Sequence, residues 1–120
     1  MNQQLNRVEL CGTVGACRIQ EVGETRIARF TVATNYVYKA KDGTVVIETT
    51  WMTCVAFEKP ETGPLDVIEK YAKIRLTGRI RNQRFTDSSG EERAQTEVLV
   101  SRFEILDREE PFLMQEQDKP

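Results

Sequence analysis

Histidine is absent from the sequence, and its three cysteines, Cys11, Cys17 and Cys54, form no CxxC pair. Structural zinc sites are built mainly from these two residue types, so we expect no metal site and predict reduced thiols packed as small apolar groups. The chain also lacks the commonest general base of enzymes. No acidic cluster among apolar strands replaces it, and we therefore expect neither a cofactor, nor catalytic residues, nor an enzyme.

Long apolar runs are also absent, and none approaches the roughly 18 residues that a membrane span requires. Residues 1–6 show no basic segment followed by an apolar stretch, so we expect no secretory signal and predict a cytoplasmic location. The chain has 120 residues, of which 39% are apolar. This length and composition suit one small globular domain with a single core.

The net charge of −2 is unevenly distributed along the chain. Residues 1–106 carry 15 basic and 14 acidic side chains, whereas residues 107–120 carry 2 basic and 5 acidic ones. We therefore predict a domain over residues 1–106 followed by a short, acidic, disordered tail over residues 107–120. A nearly neutral domain can still bind a polyanion if its charges are sorted by face.

Alternation of polar and apolar residues predicts five strands. They cover Arg7–Val14 with a continuation at Arg18–Gln20, Thr25–Tyr36, Val45–Phe57, Ile74–Phe85 and Arg93–Leu106. One short helix is predicted at Leu65–Tyr71, where Leu65, Ile68 and Tyr71 form an apolar stripe. Three strands, one helix and two strands is the order of the all-β OB-fold, a five-stranded Greek-key barrel that commonly binds oligonucleotides.

Strand alternation also predicts which side chains leave the core. In the third strand it places Met52, Cys54 and Ala56 on the core face and Trp51, Thr53, Val55 and Phe57 outside. In the fourth strand it places Ile74, Leu76, Gly78 and Ile80 on the core face and Arg75, Thr77, Arg79, Arg81, Gln83 and Phe85 outside. Outward aromatics beside cations are what single-stranded nucleic acids need for base stacking and phosphate contacts. The alternatives are a core position for each aromatic and a solvated face for the arginine row.

Five segments resemble the bacterial and mitochondrial single-stranded DNA-binding protein family. They are Asn6–Gly15, Ala28–Asn35, Thr50–Lys59, Gly78–Asp87 and Thr96–Val100. The resemblance implies an OB-fold that binds and protects single-stranded DNA in replication, recombination and repair, close to the nucleoid. It also implies a homotetramer whose dimers pair through the first strand.

The resemblance and the residue pattern together give a set of candidate DNA-binding residues. The stacking aromatics are Tyr38, Trp51, Phe57 and Phe85. The resemblance implies basic contacts at Lys59, Lys73, Arg81 and Arg84, and the pattern adds Lys39, Lys41 and Arg79. An RNA-binding or primosome-associated OB-fold module is the alternative, because stacking and cations alone do not distinguish DNA from RNA.

The sequence departs from the family pattern in three places. Met52 stands where many members have a histidine near the subunit contacts. The segment from Tyr71 to Ile74 is shorter than usual and lacks a Lys-Gly turn. The family usually recruits replication and repair proteins through an acidic tip on a long linker. Here Glu109–Phe112 only faintly resembles that tip, and we expect the tail to recruit partners poorly.

Overall fold

The computed structural model describes residues 3–106, in which five strands close into a barrel. The strands are β1 (Val8–Val22), β2 (Thr25–Lys39), β3 (Val45–Phe57), β4 (Lys73–Thr86) and β5 (Glu92–Ile105). Their order around the barrel is β1-β2-β3-β5-β4, and β4 pairs with β1 to close it. Strands β3 and β5 are parallel, and the other neighbours are antiparallel. The predicted tail, residues 107–120, lies outside the described residues.

The predicted strands are confirmed, although β1 and β2 run further than expected. A bulge between Val14 and Cys17 bends β1 without ending it. There the backbone N–H of Ala16 donates to Oγ1 of Thr31 at 3.1 Å. Bulges bend and twist a strand, and this one lets β1 form part of the barrel and then continue into the hairpin with β2.

The predicted helix at Leu65–Tyr71 is wrong in its extent, because only a 3₁₀ turn forms, at Leu65–Val67. Ile68 already has extended backbone, with φ −83° and ψ 95°. The N–H of Tyr71 donates to the carbonyl of Val14 at 2.8 Å, so β1 accepts a hydrogen bond that a helix would keep internal. Within residues 3–106, no helix has the length and apolar character required to cross a membrane.

The core fills the barrel with alternate side chains from every strand. Its buried apolar members on the strands include Val14, Ala28, Phe30, Val32, Cys54, Ala56, Ile74, Leu76, Val98 and Val100. Leu65, Ile68 and Ala72, from the β3–β4 connection, are buried in the same cluster. Full burial of one such large side chain contributes about 1.5–3 kcal/mol, so this cluster dominates the stability of the barrel.

Two side chains differ from the predicted inside and outside faces. Val55 was placed outside but is only 1% exposed. Its ladder neighbours Arg29 and Leu99 share its face and flank it from β2 and β5. Ile80 was placed in the core but is 44% exposed. The pairing of β1 with β4 ends at Val8 and Gly78, so Ile80 lies beyond the part of β4 that β1 covers.

Two hairpins continue beyond the barrel as two-stranded ribbons. In the first ribbon, residues 34–39 of β2 pair with residues 45–50 of β3. In the second ribbon, residues 82–86 of β4 pair with residues 92–96 of β5. A two-stranded ribbon has little apolar layer of its own, so most side chains on both ribbons are accessible to a ligand.

Candidate nucleic-acid interface

Trp51 forms a flat aromatic platform on the outer face of β3. Its side chain is 59% exposed, although tryptophan is usually one of the more buried residues. A Cβ added at Gly15 would lie 2.6 Å from Cζ3 of the indole and 2.6 Å from Oγ1 of Thr31. Only glycine at this position therefore lets the ring lie against the backbone of β1. The ring is supported from below and remains accessible for stacking.

An open groove of about 590 Å³ lies at the C-terminal end of β3 and is lined by Phe57, Lys59 and Arg79. The groove is also lined by Arg7 and Arg102, so four basic residues and one aromatic residue line it. Phe57 shares the outer face of β3 with Trp51 and lies six residues further on. At about 3.3 Å per residue, the two aromatics are roughly 20 Å apart along the strand.

The side chain of Asn6 holds the N-terminal edge of this groove against β4. Its amide Nδ2 donates to the carbonyl of Ile80 at 2.7 Å, and its Oδ1 accepts from the N–H of Ile80 at 2.9 Å. The side chain of Asn6 thus forms the two hydrogen bonds that a backbone residue would form with Ile80 in a β-ladder. Asn6 thereby fixes the start of the segment that carries Arg7 into the groove.

Arg81 forms an ion pair with a fully buried carboxylate. Glu97 is 0% exposed, and it accepts from Nε of Arg81 at 2.8 Å and from Nη1 of Arg29 at 3.4 Å. A buried carboxylate requires such partners, since burying an unpaired charge is very costly. Arg81 was predicted as a DNA contact, and in this structure its Nε serves the internal ion pair. The sequence reasoning did not find Arg29 or Glu97.

Tyr38 is half-buried on the first ribbon, with its ring centroid 5.9 Å from that of Tyr36 and the ring planes tilted by 34°. Tyr38 pairs with Val46, whereas Trp51 pairs with Ala33. These ladder positions have opposite parity, so the β2–β3 ladder does not bring Tyr38 and Trp51 to one face. The predicted cations Lys39 and Lys41 are exposed on the same hairpin.

Phe85 is 43% exposed on the second ribbon, next to Arg93 in the ladder. The adjoining turn is organised by Asp87, which accepts hydrogen bonds from Ser89, from the N–H of Glu91 and, at 2.6 Å, from Nε of Arg93. The bond from Arg93 is the main cause that lowers the pKa of Asp87 to about 2. Arg93 is thereby bound within the turn beside the exposed ring.

The last two predicted cations already have partners within the chain. Nη1 of Arg84 lies 3.6 Å from Oε1 of Glu92, and both side chains are largely exposed. Nζ of Lys73 donates to Oγ1 of Thr13 at 2.9 Å. A neutral hydroxyl leaves the charge of Lys73 available to a phosphate, whereas Glu92 partly neutralises Arg84.

The cysteines differ in accessibility. Cys54 is buried as predicted, and burial raises the pKa of its thiol to about 12. Burial also raises the pKa of Cys17. Cys11 is exposed, contrary to the prediction of packed thiols, because it faces outward on β1. All three are free thiols.

The described part of the chain is similar to known single-strand binding proteins. The model of the "Single-strand binding protein family" matches residues 5–106. Single-stranded DNA-binding protein 2 of Streptococcus pyogenes is 29% identical over 84 residues, which cover 70% of this chain and 50% of that protein. The single-stranded DNA-binding protein of Clostridium perfringens is 30% identical over 106 residues, covering 86% of this chain and 67% of the relative. The chain thus spans about half the length of the streptococcal relative.

Two solved structures have the same fold. A Plasmodium falciparum SSB in complex with ssDNA has a TM-score of 0.72 at 23% identity, covering 89% of this chain and 100% of that one. A deletion mutant of the single-stranded DNA binding protein from Thermus aquaticus has a TM-score of 0.70 at 20% identity, covering 86% and 51%. These likenesses confirm the predicted OB-fold. Since the family match covers most of the sequence, the chain belongs to the single-strand binding protein family.

Proposed function

We propose that this chain binds and protects single-stranded DNA without sequence preference and has no enzymatic activity. The observation that carries the proposal is Trp51, an exposed indole supported on the backbone of Gly15. Its relatives are named single-stranded DNA-binding proteins, and one similar structure is a complex with single-stranded DNA. Stacking suits binding without sequence preference, because every base has a π-face.

The proposed path of the strand runs along the outer face of β3. One base stacks on Trp51, and another enters the groove that contains Phe57. Lys59 and Arg79 contact phosphates beside that second base. A longer strand that passes round the first ribbon contacts Tyr38 and Lys39 there and Lys41 in the adjoining turn, and Phe85 on the second ribbon provides a further contact. The roughly 20 Å between Trp51 and Phe57 leaves room for several nucleotides.

Fluorescence titration with oligo-dT tests the proposal directly. Trp51 is the only tryptophan in the sequence, so quenching reports on this one side chain. Because a variant without Trp51 has no tryptophan signal, its binding is followed by the anisotropy of a labelled oligo-dT. Replacing Trp51 with alanine is expected to cost about 1–3 kcal/mol per stacked base, which is roughly 5- to 150-fold in affinity. Trp51→Phe is the matched control and should retain most of the affinity. Normal binding by a folded Trp51→Ala variant would refute the proposal.

Salt dependence tests the phosphate contacts separately. For single strands, each contact contributes a slope of about −0.7 in log K against log salt concentration. Arg79→Ala should therefore reduce the magnitude of the slope by about 0.7. A flat salt response, or a preference for duplex DNA, would contradict this binding mode. Competition between oligo-dT and an RNA oligonucleotide of the same length decides between DNA and RNA as the ligand.

We also propose that the chain forms a homotetramer whose dimers pair through β1. Residues Val8–Gly12 pair with β4 on one edge, whereas the β1–β2 ladder begins only at Thr13. Within the described residues, the other edge of this segment thus has no neighbouring strand, and open edges favour pairing with another chain. The mass of the protein in solution tests this assembly, and a monomer would contradict it. Replication, recombination and repair at the cytoplasmic nucleoid are the processes that we propose it serves.

A further inference from the structure

Tyr71 has an unusual backbone conformation for a bulky residue. Its φ is 75°, and it is the single non-glycine residue with positive φ in the described part of the chain. Residues with a Cβ adopt this left-handed region at an energetic cost, which glycine avoids. The side chain is nevertheless 71% exposed, so burial of the ring does not offset the strain.

The backbone around Tyr71 explains the conformation but not the side chain. The N–H of Tyr71 donates to the carbonyl of Val14 at 2.8 Å, and the N–H of Val14 donates to the carbonyl of Ala72 at 2.9 Å. These two bonds fix the connection to β1 just before β4 begins. Glycine at position 71 would form the same bonds with less strain. The presence of a tyrosine therefore requires a reason outside the fold, as is common for strained residues at functional sites.

Lys70 lies against the exposed ring, and Lys73 follows Tyr71 by two residues in the sequence. Nζ of Lys70 lies 5.2 Å from the ring centroid, and Nζ of Lys73 is held by Oγ1 of Thr13. Lys70 also lines an open groove of about 540 Å³ together with Cys17, Ile68 and the acidic Glu69. An exposed aromatic with a cation close to its ring is a combination that can bind a base and its neighbouring phosphate.

Tyr71 and Trp51 approach β1 at neighbouring residues. The backbone of Tyr71 bonds to Val14, and the indole of Trp51 lies against Gly15. Consecutive Cα atoms are 3.8 Å apart, so the two aromatics are anchored to the same short stretch of β1. Trp51 arrives from the side of β2 and β3, whereas Tyr71 arrives from the side of β4. A nucleic-acid strand that continues from Trp51 across β1 towards β4 would run in the direction of Tyr71.

We propose that Tyr71 is an additional stacking position for single-stranded DNA, with Lys70 contacting the adjacent phosphate. The inference rests on the proposed function and extends the bound strand from Trp51 across β1. It also accounts for the strained backbone, because the ring stacks on a base at the expense of stability. Stability and affinity should therefore respond in opposite directions when the ring is removed.

The decisive variant is Tyr71→Gly, which relieves the positive φ and removes the ring. Its denaturation midpoint should rise, while its affinity for a long oligo-dT should fall by about 5-fold or more. Tyr71→Phe is the matched control, since it keeps both the strain and the ring, and it should bind as the unmodified chain does. A short oligo-dT that covers only Trp51 should bind Tyr71→Gly normally. Lys70→Gln should reduce the magnitude of the salt slope for the long oligonucleotide by about 0.7.

The outcomes separate this inference from the proposed function. If Tyr71→Gly binds the long oligo-dT normally while Trp51→Ala binds it poorly, the stacking role of Tyr71 is overturned and the proposed function stands. If Trp51→Ala also binds normally, the proposed function itself fails. A loss of stability in both Tyr71→Gly and Tyr71→Asn would show that the ring serves the fold, and this too would overturn the inference.

Discussion

Replacing Arg81 with alanine is expected to destabilise the barrel. The reason is Glu97, which is fully buried and accepts its shortest charged hydrogen bond, at 2.8 Å, from Nε of Arg81. Arg29 is its second cationic partner, at 3.4 Å. Arg81→Ala therefore leaves the buried negative charge of Glu97 with weaker pairing, independently of any effect on DNA binding.

The magnitude follows from the two distances. A hydrogen bond to a charged group contributes about 1.5–3 kcal/mol net. Charge-assisted N–H···O bonds are usually about 2.7–2.9 Å long, so the 3.4 Å bond from Arg29 is a weak substitute. Removing one partner of an isolated buried pair costs about 3–5 kcal/mol, and the presence of Arg29 keeps the cost below that. We therefore expect Arg81→Ala to lose about 1.5–3 kcal/mol of unfolding free energy.

Chemical denaturation of Arg81→Ala and Arg79→Ala measures this difference. Arg79 is the matched control, because it lies two residues away in β4, is exposed, and forms no ion pair within the described residues. Arg79→Ala should keep its stability and lose one phosphate contact. A double-mutant cycle with Glu97→Gln should give a coupling energy of about 0.5–3 kcal/mol, as expected for residues in contact.

One result would refute this reasoning. If Arg81→Ala is as stable as the unmodified chain and its salt slope weakens by about 0.7, Arg81 is a phosphate contact and the ion pair contributes nothing. Reduced stability with an unchanged slope at low temperature, where the variant is folded, would instead assign Arg81 to the fold.

Three further outcomes are expected. Gly15→Ala should displace the indole of Trp51, changing its emission and weakening oligo-dT binding; unchanged emission would contradict the packing described above. Thiol reagents should modify Cys11 quickly, Cys17 slowly and Cys54 only on unfolding, since burial raises the pKa of Cys54 to about 12; equal rates would be inconsistent with this burial. The lowered pKa of Asp87 means that its turn is stabilised above about pH 4 and loses this contribution as the pH falls through about 2, which NMR titration of its carboxyl checks.

The strands were predictable because a barrel imposes a period of two on every strand. That pattern placed Trp51 outside and Cys54 and Ala56 inside, as the structure has them. The apolar spacing within Leu65–Tyr71 led to the wrong prediction of a helix, because a loop can also bury residues with that spacing. Leu65 and Ile68 are buried by such a loop, while β1 accepts the hydrogen bond of Tyr71.

The candidate site was predictable only in part. Alternation identifies which residues point outward, but it does not show which of them pair with each other. The ion pair of Arg81 depends on the β4–β5 register, which places Glu97 directly opposite. The support of Trp51 by Gly15 depends on a bulge in β1 and on the indole reaching across β2 to β1. Neither the strand register nor this side-chain packing can be predicted from the local sequence.

The arginines and lysines of the domain have different roles, which bears on how a nearly neutral chain would bind DNA as proposed. Arg26, Arg29, Arg81 and Arg93 are bound to carboxylates within the barrel and its turns. Their planar guanidinium groups suit such fixed, directional bonds. Three exposed cations form no ion pair within residues 3–106. Two of them, Lys39 and Lys41, lie on the β2–β3 hairpin, and Arg79 lines the groove beside Phe57. Paired arginines and carboxylates cancel within the net charge, so it does not show where the unpaired cations lie, and these three lie close to aromatic rings.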